Sequence, residues 1–212
     1  MPSIPDFIDL LANCKTDPLC VENLYSGNSL KSDVRRHNLL LYLEKMKALS
    51  PDVILVGEAP GYKGCALTGI PFTSENVLAK NEFFQGENYK FIDKVRREKE
   101  SSATIVWGEL AKYDNKPLIW NIFPFHPFEK DNLIEKDNTK SNRPPTSDEL
   151  RQGFEILEKL LKLFDIKKIV AVGKKAESQI KNNKYYYAAI RHPANGGKND
   201  FAEGLKRILT SN

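Results

Sequence analysis

Nothing in this chain approaches the ~20 consecutive apolar residues needed to cross a bilayer, and Met1-Pro2-Ser3-Ile4-Pro5-Asp6 lacks the basic-then-apolar order of a secretion signal. A soluble, non-secreted protein is expected, cytoplasmic or, in a eukaryote, nuclear, with no membrane partner. Cysteine is scarce. Cys14, Cys20 and Cys65 are too few for a disulfide framework, and no CxxC pair is present for zinc, so incidental thiols and no metal or other cofactor are expected. The phosphate-cradling GK[ST] is missing from the glycine-containing stretch 57–64, and GxGxxG is missing altogether, which removes nucleotide-hydrolase and dehydrogenase readings. No serine stands in a GxSxG elbow, and Cys65 has no partner identifiable by spacing, so hydrolysis by a side-chain nucleophile has little support. An excess of one charge is lacking too. The 32 Lys and Arg against 28 Asp and Glu leave a net +4, which permits nucleic-acid binding without arguing for it.

What is present is an alternation of apolar strands and amphipathic helices. A length of 212 residues suits one domain, with 1–50 as an N-terminal helical cap and 51–212 as sheet and active-site loops. Residues 6–14 read as a short helix. Ser32 can cap a second, whose apolar face includes Val34, Leu39, Leu43 and Met46 before Ser50-Pro51 stops it. His37 is expected on the surface of that helix.

The run 52–56 is a strand delivering the turn Gly57-Glu-Ala-Pro-Gly61, where two glycines free the backbone and Pro60 stiffens the bend. A non-periodic loop carrying Phe72 follows. The string Thr104-Ile-Val-Trp107 has strand propensity, but Ser101 or Ser102 can cap a helix over 101–113, and the helix is favoured. A second strand, 116–121, ends at Asn121 and a proline-broken loop, and a polar, mobile loop is expected over 129–142. Thr146-Ser-Asp-Glu149 is a capping box opening a helix over 147–164. A third strand, 168–172, leads through Gly173 to a helix over 174–181, whose two opening lysines oppose the helix dipole unless an anion is near. A fourth strand, 185–190, runs into Arg191-His-Pro193 and a flexible segment, and Asn199 can cap a last helix.

Such alternation predicts a three-layer α/β/α sandwich around a four-stranded parallel sheet, with ligands at the carboxyl ends of the strands. Glu58, Asn121 and His192 stand at three of those ends. With Phe72 they offer a carboxylate, an amide, an imidazole and an aromatic ring, a set that suits a planar, hydrogen-bonding ligand such as a nucleobase. Each also has a plainer use: Phe72 as core, Asn121 satisfying loop backbone, His192 capping a turn, Glu58 as a solvated charge.

Five motifs in order then resemble the uracil-DNA glycosylase superfamily, most of all its branch with GEAPG in place of GQDPYH. They are Gly57-Glu-Ala-Pro-Gly61, Gly69-Ile-Pro-Phe72, Asn121 with Pro124 and Pro127, Asn142-Arg-Pro-Pro145 with Glu149, and His192-Pro193, and the match spans 52 to about 209. The resemblance implies a glycosylase of base excision repair that extrudes uracil, or a related deaminated base, from DNA and hydrolyses its N-glycosidic bond to leave an abasic site. Phe72 would stack on the base, with Gly57, Ala59 and Gly61 lining its pocket. Asn121 would pair with N3–H and O4, His192 would donate to O2, and Glu58 would orient water or stabilise the cationic sugar. DNA contacts would come from Arg143, Lys174, Arg191 and Lys198, and the gap left by the base would be filled by Asn195, Gly196 or Lys198.

Departures from the family pattern are specific. Ala59 stands where GQDPYH members carry a water-activating aspartate. Gly61 stands where they carry the aromatic that excludes thymine's methyl, which predicts an open wall and looser selection at base C5. Ala194 replaces the serine of HPS. The GEAPG branch usually holds an iron–sulfur cluster on four cysteines, which three cysteines cannot reproduce, so no cluster is expected. A monomer acting on damaged DNA is expected, the alternatives being the same fold acting on hypoxanthine or xanthine, or a catalytically weak nucleic-acid-binding member.

Overall fold

Four parallel strands in the order β3-β2-β5-β6 form the sheet that positions everything else: β2 (Val53–Gly57), β3 (Leu118–Asn121), β5 (Lys168–Val172) and β6 (Tyr186–Ile190). The structure is a computed structural model and describes residues 3–92, 95, 97–129 and 141–210. Most of the polar loop expected over 129–142 lies outside the described residues. Every residue of β2 and β3 is buried, as β-branched and apolar strands must be when helices cover both faces of a parallel sheet. Strand β6 sits at the edge, and its burial alternates until Ile190, which is buried. Pairing places Gly57 opposite Asn121 and Val172 opposite Ile190, so the loops after β3, β2, β5 and β6 leave the same end of the sheet side by side.

The flanking helices are α1 (Ile4–Asn13), α2 (Leu30–Leu49), α3 (Cys65–Thr68), α4 (Glu75–Lys80), α5 (Ser101–Leu110), α6 (Ser147–Leu161), α7 (Lys174–Ile180) and α8 (Lys198–Thr210). None is long and apolar enough to cross a membrane. A two-residue pairing of β1 (Val21–Glu22) with β4 (His126–Pro127) ties the segment after α1 to the loop beyond β3.

Capping explains most helix starts. Ser29, rather than Ser32, is the N-cap of α2, because Ser32 sits at the third helical position and returns a hydrogen bond to the Ser29 backbone in a reciprocal box. Thr146 and Glu149 form the expected box at α6. Asn199 lies inside α8, which begins one residue earlier. The ambiguous segment at Thr104 is helical. Its Trp107 packs among Phe83 and Phe84 and donates from Nε1 to Thr73 Oγ1 at 3.0 Å, so tertiary burial outweighs strand propensity there. His37 lies half-buried at the surface of α2, with Nε2 2.8 Å from the Asn88 carbonyl.

Candidate active site

At the carboxyl end of the sheet lies a cleft of about 400 Å³, its walls including Glu58, Ala59, Gly61, Phe72, Glu100, Asn121, Arg143, Lys175 and His192. That size falls within the ~300–1,000 Å³ of clefts that hold small molecules. Glu58, Asn121 and His192, proposed from strand ends alone, do converge.

Gly57 is the floor on which the aromatic and the amide rest. A Cβ at this position would lie 2.4 Å from Phe72 Cε2 and Cζ and 2.9 Å from Asn121 Oδ1, contacts that only glycine avoids. Phe72 is held by its loop in a left-handed conformation with φ +50°, an arrangement that costs energy for a non-glycine residue and persists because neighbours fix it. Those neighbours are identifiable. Thr68 Oγ1 donates to the Thr73 carbonyl at 2.7 Å, Trp107 holds the Thr73 hydroxyl, and Tyr25 Oη donates to the Gly69 carbonyl at 2.9 Å, all in buried surroundings. Phe72 is 8% exposed, so it is both core and cleft wall, and its ring centroid lies 5.8 Å from that of His192.

Asn121 is 2% exposed, and among the described residues its side-chain amide forms no hydrogen bond. The loop backbone does not need it: Ile122 and Phe123 donate their N–H groups to the carbonyls of Gly57 and Glu58 at 2.8 and 3.0 Å. With no protein partner, the amide oxygen and nitrogen face the cleft and are left to a ligand that bears a donor beside an acceptor.

His192 follows β6 and accepts a hydrogen bond at Nδ1 from the Ala194 N–H at 3.2 Å. Accepting at Nδ1 leaves the neutral ring's proton on Nε2. Burial lowers the His192 pKa below the usual 6.5, with Arg191 acting in the same direction and the Glu58 carboxylate opposing them. Gly197 is required beside it, since a Cβ there would lie 2.1 Å from the His192 carbonyl oxygen.

Glu58 is ion-paired with Lys175 Nζ at 3.0 Å. Lys174, its neighbour, is exposed and lies outside the cleft wall. Lys175 thus answers the dipole conflict noted for the two lysines: the anion near the start of α7 is Glu58. Arg143 lines the cleft, but its guanidinium is held by both oxygens of Glu149 at 2.8 and 2.6 Å and by the Cys20 carbonyl at 3.1 Å. It fastens the loop entering α6, and a phosphate would have to compete with that carboxylate. Arg191, just before His192, and Asn195, Gly196 and Lys198, just after it, are exposed, with Asn195 and Gly196 both at positive φ.

No motif or spacing in the sequence marks Glu100. Its carboxyl enters the cleft against Gly61 and Gly64, and Cβ atoms at those positions would lie 2.5 Å from its Oε1 and 2.3 Å from its Oε2. The wall at Gly61, expected to be open, is therefore occupied by a carboxyl from a distant segment. The only local hints were two glycines with no turn to explain both. Burial pushes the Glu100 pKa from 4.5 up to about 7.

The cysteines do not suit a four-thiolate cluster. Cys65 is buried with its thiol pKa raised by burial and by Glu100, while Cys14 and Cys20 are half-buried between α1 and β1. No group of three or more His, Cys, Asp or Glu side chains among the described residues could hold a metal ion.

Residues 44–209 match the family model of the uracil DNA glycosylase superfamily. No curated protein matches the chain. Among solved structures, it is similar to the crystal structure of wild-type Pedobacter heparinus SMUG2, with 17% identity over the whole of both chains and a TM-score of 0.65, a likeness of fold.

Proposed function

The chain belongs to the uracil DNA glycosylase superfamily, and on that premise we propose that it is a monofunctional DNA glycosylase that removes uracil from DNA as the first step of base excision repair. The observation that carries this reading is the Asn121 amide, which rests with the Phe72 ring on Gly57 in the same cleft as His192 and makes no hydrogen bond among the described residues. Its carbonyl accepts from uracil N3–H and its NH₂ donates to O4, whereas cytosine presents an acceptor at N3 and a donor at the exocyclic amine. The base is extruded to reach this pocket, at an unstacking cost of a few kcal/mol that falls for mispaired bases. Phe72 supplies an apolar face for it.

Bond breaking leaves negative charge on the pyrimidine. His192 Nε2–H donates to O2 as that charge develops, in a site where water is displaced and such a dipole counts for most. The lowered His192 pKa keeps the ring neutral and this donor in place without needing a cation. Glu58 orients the attacking water and stabilises the cationic sugar, with Lys175 fixing its carboxylate. Arg191 and Lys198 approach the phosphates, and Asn195 with Gly196 enters the gap left by the base. We place the enzyme inside the cell, acting as a monomer.

The test is an oligonucleotide with a single uracil, incubated with enzyme and then treated with alkali to cut abasic sites. Wild type cleaves, while Asn121→Ala and His192→Ala each slow single-turnover excision by about 100- to 1,000-fold. Absence of cleavage at high enzyme would overturn the catalytic reading in favour of a nucleic-acid-binding protein.

A further inference from the structure

Glu100 is the N-cap residue of α5, yet its side chain makes no capping hydrogen bond, and among the described residues its carboxyl has no hydrogen-bond or ion-pair partner. It is instead seated against Gly61 and Gly64, where a Cβ on either residue would displace it, and it lines the same cleft as Asn121 and His192. The cations of the cleft are committed elsewhere, Lys175 to Glu58 and Arg143 to Glu149. Among the described residues that line the cleft, the remaining titratable groups are His192, kept neutral by burial, and the Cys65 thiol of α3, whose raised pKa keeps it uncharged. Among the described residues nothing holds Glu100 as a carboxylate, and burial brings its pKa to about 7, where a group serves well as an acid or base at physiological pH.

Uracil offers such an acid nothing. With N3–H and O4 taken by Asn121 and O2 by His192, only its C5–H and C6–H edge remains. Hypoxanthine and xanthine present the same N–H beside C=O to Asn121 through N1–H and O6, and they retain a strong acceptor at N7. Resting on the glycosylase reading above, we infer that Glu100 is a catalytic acid for deaminated purines, passing its carboxyl proton to N7 as the base departs. The step balances as follows. The C1′–N9 bonding pair leaves with the purine, N7 takes the Glu100 proton, water adds its oxygen to C1′, and the proton released from water passes to the Glu58 carboxylate. The base leaves neutral and Glu100 is left ionised.

The experiment compares single-turnover excision of uracil and hypoxanthine from matched oligonucleotides across about pH 5.5 to 8.5, for wild type, Glu100→Gln and Gly61→Ala. Wild type should excise both, and its hypoxanthine rate should fall about tenfold per pH unit above about 7, where Glu100 loses its proton. Glu100→Gln should lower the hypoxanthine-to-uracil rate ratio by about 100-fold or more and abolish that alkaline limb. Gly61→Ala, which pushes the carboxyl from its seat, should lower the ratio in the same direction. Equal losses for the two bases, an alkaline limb that survives Glu100→Gln, or a wild type that excises uracil but not hypoxanthine would each overturn the inference while leaving uracil excision standing. A wild type inactive on both bases would instead remove the glycosylase reading beneath it.

Discussion

Replacing Glu100 with glutamine is expected to stabilise the protein at neutral and alkaline pH and to have no such effect near pH 4. In the folded chain the carboxyl titrates at about 7 rather than 4.5 because burial penalises the anion. Below 4.5 both folded and unfolded chains carry the proton, so the group costs nothing. Between 4.5 and about 7 the unfolded chain releases its proton while the folded chain keeps it, and wild-type stability declines. Above about 7 the penalty is constant. A gap of about 2.5 pKa units at 1.36 kcal/mol each sets an upper value near 3 kcal/mol, and about 2–3 kcal/mol is expected because water still reaches part of the carboxyl. Glutamine fills the same seat without ionising. Urea unfolding followed by the fluorescence of the buried Trp107 and Trp120 reads this directly. With a slope of roughly 2 kcal/mol/M, the midpoints of the two proteins should coincide near pH 4 and stand about 1 M or more apart at about pH 8. A difference independent of pH, or a variant less stable than wild type at about pH 8, would refute the burial of Glu100 as described and with it the basis for its role as an acid.

Gly57→Ala places a methyl 2.4 Å from the Phe72 ring and 2.9 Å from Asn121 Oδ1, so both must shift. A displacement of about 1 Å at this site should cost about 100-fold in single-turnover uracil excision, and a wild-type rate would remove Gly57 as the floor of the site. Arg143→Ala breaks the paired contacts with Glu149 and should destabilise the protein by about 2 kcal/mol at neutral pH, measured by denaturant unfolding. Burial would raise the Glu149 pKa, but hydrogen bonds from Arg143 and the Thr146 backbone hold it below 4.5. The contribution of the pair is therefore present above that value and fades as pH falls through the folded pKa, so the variant and wild type should converge in acid. Arg191 and Lys198 are exposed near the cleft, and replacing both with alanine should reduce the slope of log affinity against log salt for duplex DNA by about 2. An unchanged slope would place the phosphate contacts elsewhere.

Local rules read the scaffold well because they are local. Capping at Thr146, the apolar runs of β2, β3 and β5, and the polar residues at three strand ends follow from neighbours a few positions apart. Where two local signals competed, packing or the completed hydrogen-bond pattern decided. The segment around Thr104 is helical because Trp107 is buried against Phe83 and Phe84, and α2 starts at Ser29 because two serines bond reciprocally. Arg143 and Glu149 both stood in the sequence motif, but only their meeting at 2.6 Å turns a candidate phosphate contact into a structural clamp.

The order of strands and helices, by itself, determined that Glu58, Asn121 and His192 would emerge at one end of a parallel sheet, because parallel topology sends every strand's carboxyl end the same way. The turn at Gly57 to Gly61 also announced its own deficits at Ala59 and Gly61. Tertiary structure alone decided what fills the space at Gly61. Glu100 arrives from the start of α5, far along the chain, and no periodicity or spacing relates it to the glycines it rests on. Its proton affinity is likewise a property of the folded surroundings, since burial exists only once the chain has closed over it.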